Sequence, residues 1–150
     1  MTLHAYTDGA SRGNPGKSGI GIVVRKEGGD TVFRMAASIG VATNNKAEYT
    51  ALLTLLRKAR DFECERLIVH SDSELMVRQM NGEYKIRNPA IAGYHRTIRD
   101  LLHKSPFTFE IRHIPREMNS EADQLANEGI ESGVILDDQI PDSEAPRGYK

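Results

Sequence analysis

Four acidic residues of this 150-residue sequence stand where a carboxylate can take part in chemistry: Asp8, Glu48, Asp72 and Asp123. Asp8 and Asp72 follow apolar segments that are typical of strands, whereas Glu48 and Asp123 fall in the first turns of expected helices. Strand ends and first helical turns of separate elements can meet at one edge of a sheet. We therefore expect these four side chains to converge on one site.

A site built from such carboxylates has a definite metal preference. Because the sequence has one cysteine and five histidines, the ligands would be oxygen atoms alone, and such hard sites bind Mg²⁺ or Mn²⁺ rather than zinc. Pairs of these ions serve phosphodiester cleavage, in which one ion activates a water molecule and the other stabilises the leaving oxygen. The pattern therefore indicates metal-dependent phosphodiester chemistry.

Two of the acidic residues also have a structural interpretation of their own. Asp8 enters the glycine-rich segment 8–16, where an aspartate commonly forms an Asx-turn. Glu48 lies on the apolar helical stripe that Ala51 and Leu52 begin. A carboxylate is costly there unless it is paired, hydrogen-bonded or bound to metal, although a partly exposed glutamate in a first turn is favoured by the helix dipole.

Helix capping is the alternative for the other two. Asp72 opens a helix, and Ser71 and Glu74 have the spacing of a capping box. Ser120 and Asp123 have a similar spacing at the start of the last helix. The local pattern satisfies both the capping and the catalytic interpretation, so both stay open at this point.

Alternating and helical periodicities place these residues on nine elements in the order β-β-β-α-β-α-α-β-α. Strands are predicted near residues 3–8, 20–25, 31–39, 67–69 and 107–114. Helices are predicted near residues 44–59, 73–80, 90–103 and 120–131, with Thr43 or Asn44 capping the first. Residues 8–16 are predicted to form a turn. The sequence thus predicts an α/β fold with a mixed sheet and flanking helices.

Length and composition fit a single globular domain. Apolar residues make up 39% of the sequence, charged residues 27%, and the net charge is −1. We expect a domain over residues 1–133 and an acidic, flexible C-terminal segment over residues 134–150. The sequence shows neither a leader nor an apolar stretch of roughly 18 residues, and Cys64 is its one cysteine, so we expect a cytoplasmic protein without membrane contact. We also expect a monomer without an organic cofactor.

Four segments resemble, in order and with compatible spacing, the signatures of type 1 ribonuclease H. The segments are YTDGASRGNPG at 6–16, TNNKAE at 43–48, SDS at 71–73 and NSEADQLA at 119–126. The likeness spans about residues 1–131. It implies a ribonuclease H-like fold, a five-stranded mixed sheet in the order 3-2-1-4-5. It also implies endonucleolytic cleavage of the RNA strand of RNA–DNA hybrids, giving 5′-phosphate and 3′-hydroxyl ends.

The resemblance also implies roles for individual residues. The metal-binding and catalytic carboxylates would be Asp8, Glu48, Asp72 and Asp123, holding two Mg²⁺ or Mn²⁺ ions together with the substrate. The hybrid would be contacted by Gly9, Asn14, Thr43, Asn44 and Asn45, with Thr43 gripping a DNA phosphate. Amide side chains can donate hydrogen bonds to base edges and sugars and accept hydrogen bonds from them. A carboxylate can accept a hydrogen bond from the 2′-hydroxyl, which distinguishes RNA from DNA. Helix capping is a compatible role for the paired asparagines.

The chain departs from the family pattern in the connection between the last strand and the last helix. Many members carry a histidine in a glycine-containing loop there, whereas this chain has only Pro115-Arg116-Glu117-Met118. His113 aligns with a strand residue, so we expect Arg116 to substitute for the missing histidine as a permanent cation near the leaving phosphate. A surface arginine without a role is the alternative.

Two further departures concern the substrate. Glu74 stands where many members have a glutamine that reads the RNA strand, and no room remains at 82–89 for the basic, tryptophan-bearing protrusion of some members. Residues 78–99 nevertheless hold five basic residues and one acidic residue, a net charge of +4 that suits a phosphate backbone. Two alternatives to an active ribonuclease H stay open. One is a hybrid-binding or duplex-binding module with weak or lost catalysis, and the other is a different Mg²⁺-dependent phosphotransfer enzyme.

Overall fold

The computed structural model describes residues 1–133 and 135–136, and these form six strands and four α-helices. The elements are β1 (Thr2–Gly13), β2 (Gly16–Lys26), β3 (Thr31–Ala42), α1 (Asn44–Ala59), β4 (Arg66–Ser71), α2 (Glu74–Met80), α3 (Pro89–His103), β5 (Thr108–His113), α4 (Ser120–Ser132) and β6 (Ile135–Leu136). The predicted order of nine elements is confirmed. Within the described part of the chain, none of the helices is both long and apolar enough to cross a membrane.

The strands form one sheet in the order β5-β4-β1-β2-β3-β6. The β1–β2 and β2–β3 pairs are antiparallel, whereas β4 runs parallel to β1 and β5 parallel to β4. The predicted order 3-2-1-4-5 is therefore confirmed. A sixth strand that the sequence did not predict extends the edge, because Ile135 pairs with Ala36 and Leu136 with Met35. The rest of the segment 134–150 lies outside the described residues, so its flexibility and the domain boundary stay predictions.

The predicted turn over residues 8–16 is wrong for most of its length. Strand β1 runs on to Gly13 and β2 begins at Gly16, so the actual turn is short. The hydroxyl of Ser11 donates a hydrogen bond of 2.8 Å to the carbonyl of Ala42 on β3. Contacts of this kind and the ladder between the strands outweigh the turn preference of the small residues.

Helices cover both faces of the sheet. On one face, α1 packs with its alanines and leucines buried against β1 and β2, and α3 packs on α1. On the other face, α4 lies across β1, β2 and β3, where Leu125 packs against Val23 and Ala36. The helix approaches closely because Gly21 carries no side chain: a Cβ there would overlap the carbonyl of Ala122. This close packing carries Asp123 to the end of the sheet where β4 also ends.

Candidate active site

Parallel pairing of β1 and β4 brings two of the predicted carboxylates together. The last pair of that ladder is Thr7 with Ser71, and Asp8 and Asp72 are the residues that directly follow this pair in the sequence. The sequence predicted that Asp8 ends its strand, and this is wrong. Asp8 lies inside β1, at the level where β4 ends. Asp72 turns out of the sheet there and leaves room for a cleft.

Helix α1 adds a third carboxylate. One carboxylate oxygen from each of Asp8, Glu48 and Asp72 lies within 4.8 Å of the other two. Oxygens at such spacing, offered by three carboxylates, match the ligand set of a hard divalent cation. The predicted convergence of these three residues is therefore present in the structure.

Gly9 allows α1 to come this close. A Cβ on Gly9 would overlap the backbone of Ala47 and Glu48, which shows that the helix passes directly over this residue. The Gly9 N–H donates a hydrogen bond of 3.0 Å to Oε1 of Glu48 and so orients the carboxylate. Gly9 is thus required for the packing of α1, in addition to the substrate contact that the family resemblance implies.

Asp123 borders the same cleft from α4. The cleft has a volume of about 500 Å³ and is lined by Asp8, Gly9, Ala10, Ser11, Asn44, Glu48, Asp72, Arg116, Asp123 and Asn127. Asp123 lies outside the group of three within 4.8 Å, yet it is near enough to Asp8 to raise the pKa of that carboxyl. All four predicted carboxylates therefore share one open cleft.

Neither of the capping interpretations holds. The N-cap of α2 is Ser73, whose hydroxyl accepts from the N–H of Met76 at 3.2 Å, so Asp72 does not cap and the predicted Ser71–Glu74 capping box is wrong. The N-cap position of α4 is Asn119 rather than Ser120. Capping therefore does not account for the presence of Asp72 and Asp123 at the cleft.

Burial and the neighbouring carboxylates raise the pKa values of Asp8 and Glu48. Burial is the largest cause for Asp8, followed by the charge of Asp72 and by the neighbouring Asp123, and together they raise its pKa to about 8 although Arg116 lowers it. The pKa of Glu48 is raised well above its ordinary value by burial first and then by Asp8 and Asp72, against the Gly9 N–H. Such a cluster is short of positive charge, which a bound divalent cation supplies.

The two candidates for the missing loop histidine lie in different places. Arg116, in a short 3₁₀ turn over Arg116–Met118, is exposed and lines the carboxylate cleft. His113, at the end of β5, lines a separate groove between α2 and β5 with Glu74 and Arg112. Only the arginine is therefore placed beside the carboxylates.

The predicted substrate residues gather at the N-terminus of α1. Thr43 caps the helix by accepting from the N–H of Lys46 at 3.2 Å, which confirms one of the two predicted caps. The side-chain oxygen of Asn14 accepts from the N–H of Asn44 at 3.0 Å and so ties the β1–β2 turn to the helix. Asn44 lines the cleft, while Asn45 is half-buried and its side-chain oxygen has no hydrogen-bond partner among the described residues.

Two asparagines that the sequence did not single out also belong to the site. Asn127 lines the cleft, and its amide donates to the carbonyl of Asp123 one turn earlier at 2.9 Å. Asn119 is buried behind the carboxylates and donates to Oδ2 of Asp72 at 3.2 Å. The i+4 spacing from Asp123 is the only sequence signal for Asn127, and the contact of Asn119 spans 47 residues and leaves no local pattern.

Comparison with known proteins places the chain in a family. Residues 6–129 match the reverse transcriptase-like family. The chain is 40% identical over 130 residues to ribonuclease HI of Halobacterium salinarum, a match that covers 86% of this chain and 64% of that protein. This chain thus spans less than two thirds of that relative's length.

Two solved structures agree with this match. LC11-RNase H1, determined in complex with an RNA/DNA hybrid, is 41% identical and has a TM-score of 0.83 over 86% of this chain and 96% of that chain. RNase H1 of Halobacterium salinarum NRC-1 is 39% identical, with a TM-score of 0.83 over 89% of this chain and all of that chain. Together with the family match, these likenesses show that the chain belongs to the reverse transcriptase-like family and, within it, to the type 1 ribonucleases H.

Proposed function

We propose that this chain is an endoribonuclease that hydrolyses the RNA strand of RNA–DNA hybrids and leaves 5′-phosphate and 3′-hydroxyl ends. The observation that carries the proposal is the cluster of three carboxylates within 4.8 Å at the floor of an open cleft. A pure nucleic-acid binder has no reason to gather acidic groups where a phosphate must approach. A relative of 41% identity has been solved with an RNA/DNA hybrid, which supports the choice of substrate.

The donor set fits divalent metal ions. The oxygens are close together, and the pKa values of Asp8 and Glu48 are raised first by burial and then by the neighbouring carboxylates, so a cation would stabilise their ionised forms. Asp8 and Asp72 would be the core ligands, and Glu48 and Asp123 would complete sites for two Mg²⁺ or Mn²⁺ ions with the substrate. When bound, such ions stabilise charge on the phosphate and activate the attacking water.

The protein's own residues orient the substrate around these ions. Asn14, Thr43 and Asn44 lie together at the exposed N-terminus of α1, where their polar side chains can hydrogen-bond to a phosphate or a sugar edge. Glu48 can accept a hydrogen bond from a ribose 2′-hydroxyl, the group that separates RNA from DNA. Binding across the minor groove of the hybrid would then place an RNA phosphate over the carboxylates.

Arg116 is proposed to act on the leaving group. It is a permanent cation at the rim of the cleft and is close enough to Asp8 to lower the pKa of that carboxyl. In this position it can neutralise charge that develops on the leaving oxygen and help the product phosphate to depart. The short connection between β5 and α4 holds it there without a flexible loop.

We further propose that the protein acts as a monomer in the cytoplasm and needs no organic cofactor. Cys64, the single cysteine, is buried as a free thiol, which suits a reducing compartment. Light scattering of the active fraction tests the monomer, and activity of the purified protein with metal as the only addition tests the cofactor requirement.

The decisive experiment is cleavage of a short RNA–DNA hybrid labelled on the RNA strand, with Mg²⁺, with Mn²⁺ and with EDTA. Double-stranded DNA and double-stranded RNA of the same sequence serve as substrate controls, and Asp72→Asn serves as the matched variant. We expect metal-dependent cutting of the hybrid RNA by the wild type, and hybrid binding without cutting by the variant. Binding of the hybrid without cutting by the wild type under either metal would contradict the proposal and favour a binding module.

A further inference from the structure

Asn119 occupies a junction between three elements that carry carboxylates. Its side chain is buried, with a relative exposure of 2%. Its Nδ2 donates one hydrogen bond of 2.9 Å to the carbonyl of Thr7 and another of 3.2 Å to Oδ2 of Asp72. Its backbone carbonyl accepts a hydrogen bond of 3.0 Å from the N–H of Asp123 in the first turn of α4. One residue thus touches β1 just before Asp8, Asp72 itself and the backbone of Asp123.

The side chain does not do what an asparagine at this position usually does. Asn119 is the N-cap residue of α4, and asparagine is among the best N-cap residues because its oxygen accepts from the first N–H groups of a helix. Here it makes no side-chain cap bond and reaches across to β1 and β4 instead. The helix start therefore forgoes a stabilising contact in favour of one at the carboxylate cluster.

A second feature points the same way. The side-chain oxygen of Asn119 is buried and has no hydrogen-bond partner among the described residues, and neither does the hydroxyl of Thr7. Buried polar atoms without partners cost stability. Such exceptions are expected mainly where a site requires a particular residue.

We propose that Asn119 is a positioning residue that holds Asp72 and sets the spacing of Asp8, Asp72 and Asp123 for divalent metal ions. The inference rests on the proposed metal-dependent function. The two hydrogens of one amide group are both used, one on β1 and one on Oδ2 of Asp72, so the carboxylate cannot rotate freely and its other oxygen, Oδ1, stays available to a cation. A neutral donor suits this place because an arginine or lysine would compete with the metal for Asp72.

The argument sets a specific expectation for metal affinity. Hydrogen-bond partners of metal ligands orient the ligands, and their loss typically weakens metal binding by about 10-fold to 100-fold. We expect the same for Asn119→Ala, because Asp72 would then adopt several rotamers. Saturating Mg²⁺ should restore most of the cleavage rate, since the ligands themselves are intact. The KM for the hybrid at saturating metal should change little.

The test measures Mg²⁺ binding to the intact, substrate-free protein by calorimetry, and the Mg²⁺ concentration that gives half-maximal cleavage. Variants are Asn119→Ala and the milder Asn119→Ser, which keeps a good N-cap residue yet is too short to reach Asp72. The matched control is Asn88→Ala, because Asn88 caps α3 by accepting from the N–H groups of Ala90 and Ile91 and contacts none of the carboxylates of the cleft.

The expected result is that both Asn119 variants lose Mg²⁺ affinity by about tenfold or more, whereas Asn88→Ala loses thermal stability and keeps the wild-type affinity. An Asn119→Ser protein that is folded and binds Mg²⁺ like the wild type overturns the inference. The inference also fails if Asn88→Ala loses as much Mg²⁺ affinity as the Asn119 variants do. If the wild type itself neither binds Mg²⁺ nor cleaves the hybrid, the proposed function fails instead. The two failures are therefore distinguishable.

Discussion

Replacing Asp8 by asparagine should stabilise the metal-free protein, and the gain should grow with pH. Asp8 is 5% exposed and its carboxyl has a pKa of about 8 in the folded protein, against an ordinary value of 3.8. Burial is the main cause, and the neighbouring Asp72 and Asp123 add to it. Asparagine has nearly the same shape and no charge, so it removes the cost of this buried carboxylate.

The sign of the pH dependence follows from proton binding. Between pH 4 and pH 8 the folded protein holds a proton on Asp8 that the unfolded chain has released, so the free energy of unfolding falls as the pH rises. The slope is about 1.4 kcal/mol per pH unit for one such group. Between pH 5 and pH 7 the wild type should therefore lose roughly 3 kcal/mol relative to Asp8→Asn, which corresponds to roughly 6–12 °C in Tm for a chain of this size.

Thermal and urea unfolding in EDTA at pH 5, 6, 7 and 8 measures this difference. Asp30→Asn is the control, because Asp30 is an exposed aspartate in the turn between β2 and β3. Saturating Mg²⁺ should narrow the gap at pH 7, since a cation that binds the ionised carboxylates stabilises the folded wild type. A difference between Asp8→Asn and the wild type that stays constant over this pH range, or that Asp30→Asn reproduces, would refute the reasoning.

Three further substitutions test other parts of the site. Arg116→Ala should lower kcat for hybrid cleavage by at least about tenfold with little change in Mg²⁺ affinity, and Arg116→Lys should recover part of it; an unchanged kcat assigns the arginine to the surface alone. Gly9→Ala should destabilise the fold by about 2–4 kcal/mol, because a Cβ there overlaps the backbone of α1, whereas Gly93→Ala, in open space within α3, should leave the Tm equal or higher. Tyr49→Phe should cost about 1 kcal/mol in urea unfolding through its buried 2.8 Å hydrogen bond to Gln79; equal stability would mean that water replaces the hydroxyl.

Local pattern was sufficient to predict most of the elements and the main carboxylates. Strand and helix periods depend on which residues face the core, and that information lies within a few neighbouring positions. Glu48 stood out because it lies on an apolar helical stripe, and the structure places one of its oxygens within 4.8 Å of an oxygen of Asp8 and an oxygen of Asp72. The motifs around these residues also predicted the family, which the comparisons confirm.

Errors arose where one local pattern was compatible with two structures. Residues 8–16 contain turn-forming residues, yet the ladder between β1 and β2 extends them as strands to Gly13 and from Gly16. The spacing of Ser71 and Glu74 resembles a capping box, yet Ser73 caps α2. Contacts between strands decided the first case, whereas in the second the hydroxyl of Ser73 caps α2 through a local bond to the N–H of Met76.

By itself, the sequence determined which residues carry the charge and on which elements they lie, because the helical and strand periods are local properties. Only the tertiary structure decided how these elements meet. The parallel register of β1 and β4 brings Asp8 beside Asp72, and the amide of Asn119 reaches the carbonyl of Thr7 across 112 positions of chain. It is also the burial produced by packing that raises the pKa of Asp8. Contacts between distant segments and the desolvation that follows from them depend on the packed fold as a whole, so no local spacing encodes them.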